Sequence, residues 1–207
     1  ATIDDELAAE PAVQGRLLAS MGNAYRNLGL YRDARPLLER AVELQARTLP
    51  DDDPRLGRAH FLLASLLRRL GDYDAAQAHY EASLAVRERA FGPDHADVGV
   101  SVSGLANLAV DRGDYDRARE LYARSLAILA ANYGQEDPRY AAQLRNVAIT
   151  SLNAGQLEEA RSGFEQTLAI QRRTLAADAP ELAATMGLLA GTYDRLEMTA
   201  EARALAE

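Results

Sequence analysis

The residues best suited to chemistry are three histidines and three consecutive aspartates. A metal site on a helix needs imidazoles at a paired spacing such as HExxH, and His60, His79 and His95 do not have one. The aspartates at 51–53 could suggest calcium, but the spaced oxygen ligands and the glycine of a calcium-binding loop are missing. We therefore expect no metal site, and we expect the aspartates to form a capped, solvated loop.

Other catalytic chemistry is excluded by residue types that the chain lacks. There is no lysine, which rules out a Walker-type phosphate-binding loop and a Schiff base. There is no cysteine, so thiolate nucleophiles, thiolate metal ligands and disulfides are excluded. No Gly-x-Ser-x-Gly sequence marks a serine nucleophile. The sequence therefore predicts a protein that is not an enzyme and that binds no cofactor.

The composition argues against two kinds of partner, nucleic acids and membranes. The formal net charge is −8, which argues against nucleic acid, since phosphate binding needs a basic face. No apolar stretch reaches the roughly 18 residues of a membrane span, and the first residues lack the regions of a signal peptide. We therefore expect no membrane contact and a cytoplasmic location. All 23 basic residues are arginine and alanine is abundant, a bias typical of a GC-rich, bacterial gene.

The helices that must position any site follow from a repeat of 42 residues. Gly29, Gly71, Gly113 and Gly155 are one period apart, and Ala202 keeps the register of the alanines that follow them. A fixed period of this size indicates a stacked-repeat architecture. Such an array offers a long surface for binding and rarely a closed catalytic pocket.

Each period contains two apolar stripes of helical spacing. In the second period Leu56, Leu63 and Leu67 lie on one helix face, Gly71 ends that helix, and a second helix runs to about Phe91. The sequence thus predicts an all-α protein of about ten helices in antiparallel pairs. The predicted single array has the tail of a preceding helix at 1–10, repeats at 11–52, 53–94, 95–136 and 137–178, and a partial repeat at 179–207.

Residues of similar size recur in columns at the repeat spacing. Small residues let the paired helices approach closely: Gly22, Ala64, Ala106, Ala148 and Ala190 in the first helices, and Ala34, Ala76, Ala118, Ala160 and Ala202 in the second. Large residues pack against the following repeat: Leu38, Tyr80, Tyr122 and Phe164. We expect these aromatic side chains to be core residues, and we expect Pro36 to lie in the first turn of its helix, where proline is tolerated.

The Gly-x-Tyr turn between a small residue and a following alanine resembles the tetratricopeptide repeat, whose usual period is about 34. The longer period here and the segment 91–98, Phe-Gly-Pro-Asp-His-Ala-Asp-Val, resemble the kinesin-light-chain type. So does the segment 144–148, Leu-Arg-Asn-Val-Ala, which is similar to the Leu-Asn-Asn-Leu-Ala signature of that type. HEAT and armadillo repeats have similar periods but lack this turn. The resemblance implies a right-handed α–α superhelix, a solenoid found in bacterial multidomain signalling proteins.

The resemblance also implies a concave groove lined by the first helix of each pair. Its N-terminal half is rich in arginine, and Asn23 and Asn107 match the column whose asparagine commonly bonds the ligand backbone. The candidate peptide-binding residues are Arg16, Asn23, Arg26, Arg58, Phe61, Arg68, Asn107, Arg145 and Asn146.

The sequence is compatible with two interpretations of this surface. The first is an interaction module that binds a protein or peptide segment, with acidic groups facing the arginines because a guanidinium binds a carboxylate bidentately. The second is a structural spacer or a module that self-associates through the ends of the repeat stack. In the second reading the arginines simply pair with neighbouring Asp and Glu on a solvated face.

Overall fold

The computed structural model describes residues 10–206, so the predicted helix tail at 1–10 lies outside the described residues except for Glu10. The predicted all-α class is confirmed: these residues form ten α-helices and no strand. The helices are α1 (Pro11–Asn27), α2 (Tyr31–Thr48), α3 (Pro54–Arg69), α4 (Tyr73–Phe91), α5 (Ala96–Asp111), α6 (Tyr115–Tyr133), α7 (Pro138–Asn153), α8 (Leu157–Thr174), α9 (Pro180–Arg195) and α10 (Thr199–Ala206).

A glycine with positive φ joins the two helices in each of the first four pairs. Gly71 has φ 80°, and the Asp72 N–H donates to the Leu67 carbonyl at 3.0 Å, which closes a Schellman motif. The same conformation recurs at the other repeat glycines, Gly29, Gly113 and Gly155. The predicted turn positions are therefore confirmed. In the fifth repeat Glu197 occupies this position at φ 61°, a conformation that costs a residue with a Cβ more than glycine.

Three of the first helices, α3, α5 and α7, begin at a capping side chain. Asp53 and Asp137 each accept a hydrogen bond from the backbone N–H two residues later, at 2.9 Å and 2.8 Å. In the same column of the repeat, His95 Nδ1 accepts from the Asp97 N–H at 3.2 Å. Proline follows both aspartates as the first helical residue, where its missing N–H costs nothing.

The predicted place of Pro36 is wrong. Because α2 begins at Tyr31, Pro36 is its sixth residue and lies beyond the four positions whose N–H groups have no partner inside the helix. The proline therefore removes one hydrogen bond to the carbonyl of Arg32. Its ring is exposed, so the helix accommodates it on the solvent side.

The described chain divides into two compact units, one up to Leu108 and the other from Ala109. The core of the first unit gathers apolar residues of α2, α3 and α4 with Leu108. The core of the second unit gathers residues of α7, α8 and α9 around Phe164. None of the helices in the described segment has both the length and the apolar character to cross a membrane.

The small columns lie where paired helices touch. Ala34 and Ala76 are 0% exposed. A Cβ on Gly22 would lie 2.6 Å from the Leu38 Cγ, so the first pair tolerates no side chain there. The large-residue column is also buried, with Tyr80 2% exposed. The prediction for the large column is confirmed, and its aromatic side chains are core residues. The prediction for the small columns holds in the first four repeats, whereas Ala190 and Ala202 in the fifth are half-buried.

Enlarging a small-column residue should destabilise the fold. Ala76→Leu and Ala118→Leu insert atoms into contacts that are fully buried, and each should cost about 1–3 kcal/mol in the free energy of unfolding. The matched controls Ala78→Leu and Ala123→Leu place the same change at exposed positions of α4 and α6. Urea denaturation measures both sets, and equal losses in the two sets would contradict this packing.

Relieving the strained turn should stabilise the last helix pair. Glu197→Gly removes the cost of a Cβ at positive φ, roughly 1–2 kcal/mol for one residue. The Met198 N–H donates to the Tyr193 carbonyl at 2.9 Å in this turn, so its hydrogen exchange should slow. The reverse change, Gly113→Glu, should speed exchange in its own turn. Unchanged exchange in both variants would show that the turn glycines are not needed.

Candidate functional site

Two of the predicted groove arginines are exposed and have no carboxylate partner among residues 10–206. Arg16 on α1 and Arg58 on α3 are one period apart and both are exposed. Neither forms an ion pair with another residue of the described chain. Arginines elsewhere lie close to carboxylates: Arg35, Arg40 and Arg117 are 2.8, 2.7 and 2.8 Å from Glu39, Glu43 and Glu120. Within the described segment, the first repeats therefore carry two positive charges that no neighbouring carboxylate neutralises.

These two arginines line one pocket of the first unit, with a volume of about 130 Å³. The pocket lies between three helices. Its lining includes Arg16, Ala19 and Ser20 from α1, Gln45 from α2, and Arg55 and Arg58 from α3. The charge of Arg55 is already engaged, because its Nε and Nη2 donate to the Asp53 carboxylate at 2.9 Å and 2.6 Å. Arg16 and Arg58 are thus the guanidiniums available to an anion in this pocket.

The pocket exists because two of its residues are smaller than their counterparts one period later. Gln45 and Ala19 are in register with Arg87 and Phe61. The Arg87 guanidinium lies over the Phe61 ring, 5.2 Å from its centroid, and these two side chains occupy the corresponding space in the next repeat. Gln45 is not among the predicted site residues because it lies on a second helix, whereas the predicted groove is lined by first helices alone. The difference between Gln45 and Arg87 at the same position of the repeat is the sequence signal for it.

The hydrogen bonds of these counterparts differ accordingly. Arg87 is 6% exposed and donates to the Asp97 carbonyl at 2.9 Å and to the Ser101 Oγ at 3.0 Å. The shorter Gln45 donates only to the Gly15 carbonyl, at 3.1 Å. Arg87 therefore ties the second repeat to the third, whereas Gln45 leaves the space beside α3 open.

Electrostatics distinguish the buried arginine from the exposed ones. Burial lowers the pKa of Arg87, the charge of Asp97 opposes that shift, and the positive charge of Arg58 lowers the pKa further. Arg58 is therefore close enough to Arg87 to act on its charge.

Arg26 and Asn23, predicted as ligand contacts, bind each other. Arg26 Nη2 donates to the Asn23 Oδ1 at 2.9 Å, and Nη1 donates to the Ser65 Oγ at 3.0 Å. Burial is the main cause that lowers the pKa of Arg26. The side chain thus clamps α1 to α3, and the Asn23 carbonyl oxygen is occupied; only the Asn23 amino group remains to donate to a ligand.

The remaining candidates lie in different environments. Phe61 is half-buried and packs edge-on against Tyr80, with ring centroids 5.5 Å apart. Arg68 is half-buried and interacts with the Tyr80 hydroxyl. In the second unit, Arg145 and Asn146 are half-buried, and the Arg145 Nε lacks a hydrogen-bond partner in the part of the chain described.

Asn107 belongs to the first unit. It lies half-buried on α5 and interacts with other residues. It does not line the Arg16–Arg58 pocket.

Two histidines that are distant in the sequence are in contact in the structure. His60 Nδ1 and His79 Nδ1 are 2.9 Å from each other although the residues are 19 positions apart. Burial first, and then the charge of His79, lower the pKa of His60 to about 4. Burial also lowers the pKa of His79, against the opposing charge of Glu39. Both rings are therefore neutral at pH 7.

The three aspartates at 51–53 lie at the N-terminal end of α3. Asp53 caps α3, and the Asp51 carbonyl accepts from Arg89 Nη2 at 2.8 Å. Among residues 10–206 no group of three or more His, Cys, Asp or Glu side chains is arranged to hold a metal ion.

The distinction between buried and exposed arginines predicts different mutational costs. Arg87→Ala leaves the Asp97 carbonyl without its donor and opens a cavity over Phe61, so unfolding free energy should fall by about 2–4 kcal/mol. Arg58 is exposed and has no ion-pair partner in the described part of the chain, so Arg58→Ala should change the unfolding free energy by less than about 0.5 kcal/mol. Urea denaturation of the two variants checks this. Similar costs would contradict the assignment of Arg58 as free for ligands.

Comparisons with known proteins agree with this geometry. Residues 14–76, 57–131 and 139–207 match the family model of the tetratricopeptide repeat. Among solved structures, the chain is similar to the nearly identical TPR-like repeats of a Podosopora anserina protein provisionally named a kinesin light chain, with 27% identity, TM-score 0.78 and coverage of 95% of this chain and 93% of that one. No curated protein matches the sequence significantly.

More distant structures share the fold. BtubC (BKLC) from P. vanneervenii is 22% identical with TM-score 0.82, and 98% of this chain and 82% of that chain are covered. The APC/C hetero-tetramer Cut9-Hcn1 is 20% identical with TM-score 0.70, and 98% of this chain covers 34% of that one. The resemblance to the kinesin-light-chain type is thereby confirmed. This chain belongs to the tetratricopeptide repeat family, whose members generally serve as protein-interaction scaffolds.

Proposed function

We propose that the chain binds an acidic peptide segment of a protein partner, with one acidic side chain entering the pocket between Arg16 and Arg58. The observation that carries this proposal is the pairing of two exposed arginines, without carboxylate partners among the described residues, at one pocket of an acidic chain. Concentrating like charges costs self-repulsion unless a ligand neutralises it.

The pocket suits a single side chain. Its volume of about 130 Å³ is roughly four times the 30 Å³ that one water occupies in the liquid, enough for a carboxylate and its methylene groups. Arg16 and Arg58 approach from two neighbouring first helices, so each carboxylate oxygen can accept from its own guanidinium. Charge-assisted bonds of this kind are shorter and stronger than neutral ones.

The charge of the whole chain limits how acidic the partner can be. At a net charge of −8, the protein repels an acidic peptide at long range, and attraction begins only within about a Debye length of the arginines. We therefore expect a segment with one or two carboxylates at a defined spacing rather than a polyacidic tract. Asn23, through its amino group, is the proposed contact for the peptide backbone.

Self-association is a second candidate, favoured by an apolar stripe on α1. Leu17 and Met21 are 39% and 36% exposed. Their counterparts one period later, Ala59 and Leu63, are 1% and 2% exposed. The stripe therefore has the composition of a repeat interface, and a second copy of the chain could cover it. Sedimentation at several concentrations tests this, and Leu17→Glu with Met21→Glu should abolish any dimer.

We further propose a cytoplasmic setting within a bacterial regulatory protein. The absence of cysteine and lysine, with arginine as the basic residue, supports this setting.

The groove proposal predicts salt-sensitive binding that depends on both arginines. A peptide selected from a display library should bind with an affinity that falls as ionic strength rises from about 0.05 to 0.5 M. Arg16→Glu together with Arg58→Glu should weaken binding by about 100-fold or more, since two attractive charge contacts become repulsive. Fluorescence anisotropy with a labelled peptide measures both effects.

The control for this experiment is Arg32→Glu with Arg47→Glu, which changes the net charge equally at exposed positions of α2 outside the pocket. This variant should bind nearly as the original chain does. Binding that is insensitive to salt and survives the Arg16 and Arg58 reversals would refute the proposal. Circular dichroism confirms that helicity is unchanged in all variants.

A further inference from the structure

His60 and His79 form an isolated imidazole pair between α3 and α4. Their Nδ1 atoms are 2.9 Å apart and their ring centroids 5.1 Å apart, with 33° between the ring planes. Since each Nδ1 faces the other, one ring carries its proton on Nδ1 and donates it, while the other ring accepts. The third histidine, His95, is stacked on Phe91 with a centroid distance of 4.2 Å and lies outside the pair.

The repeat register shows that both positions normally hold apolar residues. Counterparts of His60 are Leu18, Val102, Leu144 and Met186, and counterparts of His79 are Leu37, Leu121, Gly163 and Leu205. In the first repeat Leu18 and Leu37 belong to one apolar cluster. The second repeat therefore replaces an apolar contact by two half-buried imidazoles. Exchanging apolar for polar groups at a half-buried contact loses hydrophobic stabilisation, and a single hydrogen bond recovers little of it.

We propose that His60 and His79 bind a divalent transition-metal ion, Cu²⁺ or Ni²⁺, through their two Nδ1 atoms. A metal–nitrogen distance of about 2.0–2.1 Å combined with the 2.9 Å separation of the nitrogens gives an N–metal–N angle of about 90°. That angle fits adjacent positions of a tetragonal ion such as Cu²⁺ or Ni²⁺, which imidazole ligands suit. A tetrahedral Zn²⁺ needs a wider angle and would have to push the helices or rings apart.

Binding requires a small rearrangement of the pair. The donor ring moves its proton from Nδ1 to Nε2 by exchange with solvent, so both Nδ1 lone pairs face the ion and no net proton is released. Each ring then turns about its Cβ–Cγ bond so that the lone pairs converge. Both side chains are half-buried, which leaves access for water to fill the other coordination positions, since no third metal-ligating side chain gathers here within residues 10–206.

The register supplies variants that remove the ligands without disturbing the fold. His60→Leu and His79→Leu restore the side chain found at the same column in other repeats, so they should preserve or raise thermal stability. His95→Asp is the matched control, because Asp53 and Asp137 cap helices from the same column. It removes the remaining histidine of the chain and leaves the pair intact.

The test is titration of the purified chain with Cu²⁺ and with Ni²⁺, followed by calorimetry, with electron paramagnetic resonance for bound Cu²⁺. We expect one ion per chain and a spectrum with two imidazole nitrogens. His60→Leu and His79→Leu should each weaken binding by about tenfold or more, while His95→Asp should bind like the original chain. The proposal is overturned if neither ion binds more tightly than to the His60→Leu/His79→Leu double variant, or if His95→Asp abolishes binding.

Discussion

The close approach of two helices at small residues is the constraint on which the rest of the structure depends. Ala34 and Ala76 are completely buried where the paired helices meet, and the glycine turns reverse the chain within a few residues so that this contact forms. Once each pair is fixed, the large residues beside the alanines must pack against the following repeat, as Tyr80 does in the first unit. The 42-residue period of the sequence is therefore repeated in the structure as the same helix–helix contacts within successive pairs.

The proposed sites lie where the register is kept but the side chains change. Gln45 in place of an arginine and Ala19 in place of a phenylalanine leave room for a pocket in the first repeat. The same logic applies to His60 and His79, which take the place of an apolar contact. A repeat array can therefore acquire sites by exchanging a few side chains, because the backbone geometry of each unit is held by its neighbours.

The sequence was sufficient for the helices, the turn glycines and the buried columns, because these follow from local spacing repeated several times. It was not sufficient for the contacts of long polar side chains. Arg26 was expected to face a ligand, but its side chain binds Asn23 and Ser65. This contact depends on the rotamers of side chains on two different helices, which the repeat spacing does not determine. Pro36 was misplaced because the start of α2 was taken too late. The 42-residue period shows which residues occupy equivalent positions, but it does not show which different columns touch each other. The contact between His60 and His79 therefore could not be predicted from it.

If the space beside Gln45 is the ligand site, a larger side chain at position 45 should fill it and block binding. A substitution at this position therefore tests the proposed site most directly. Gln45→Arg should place a guanidinium where Arg87 lies in the next repeat, leaving Arg16 and Arg58 in position. The measurement is the affinity of the selected acidic peptide for this variant. We predict a loss of about tenfold or more with unchanged helicity, because the acidic side chain can no longer enter. Unchanged affinity would contradict the account.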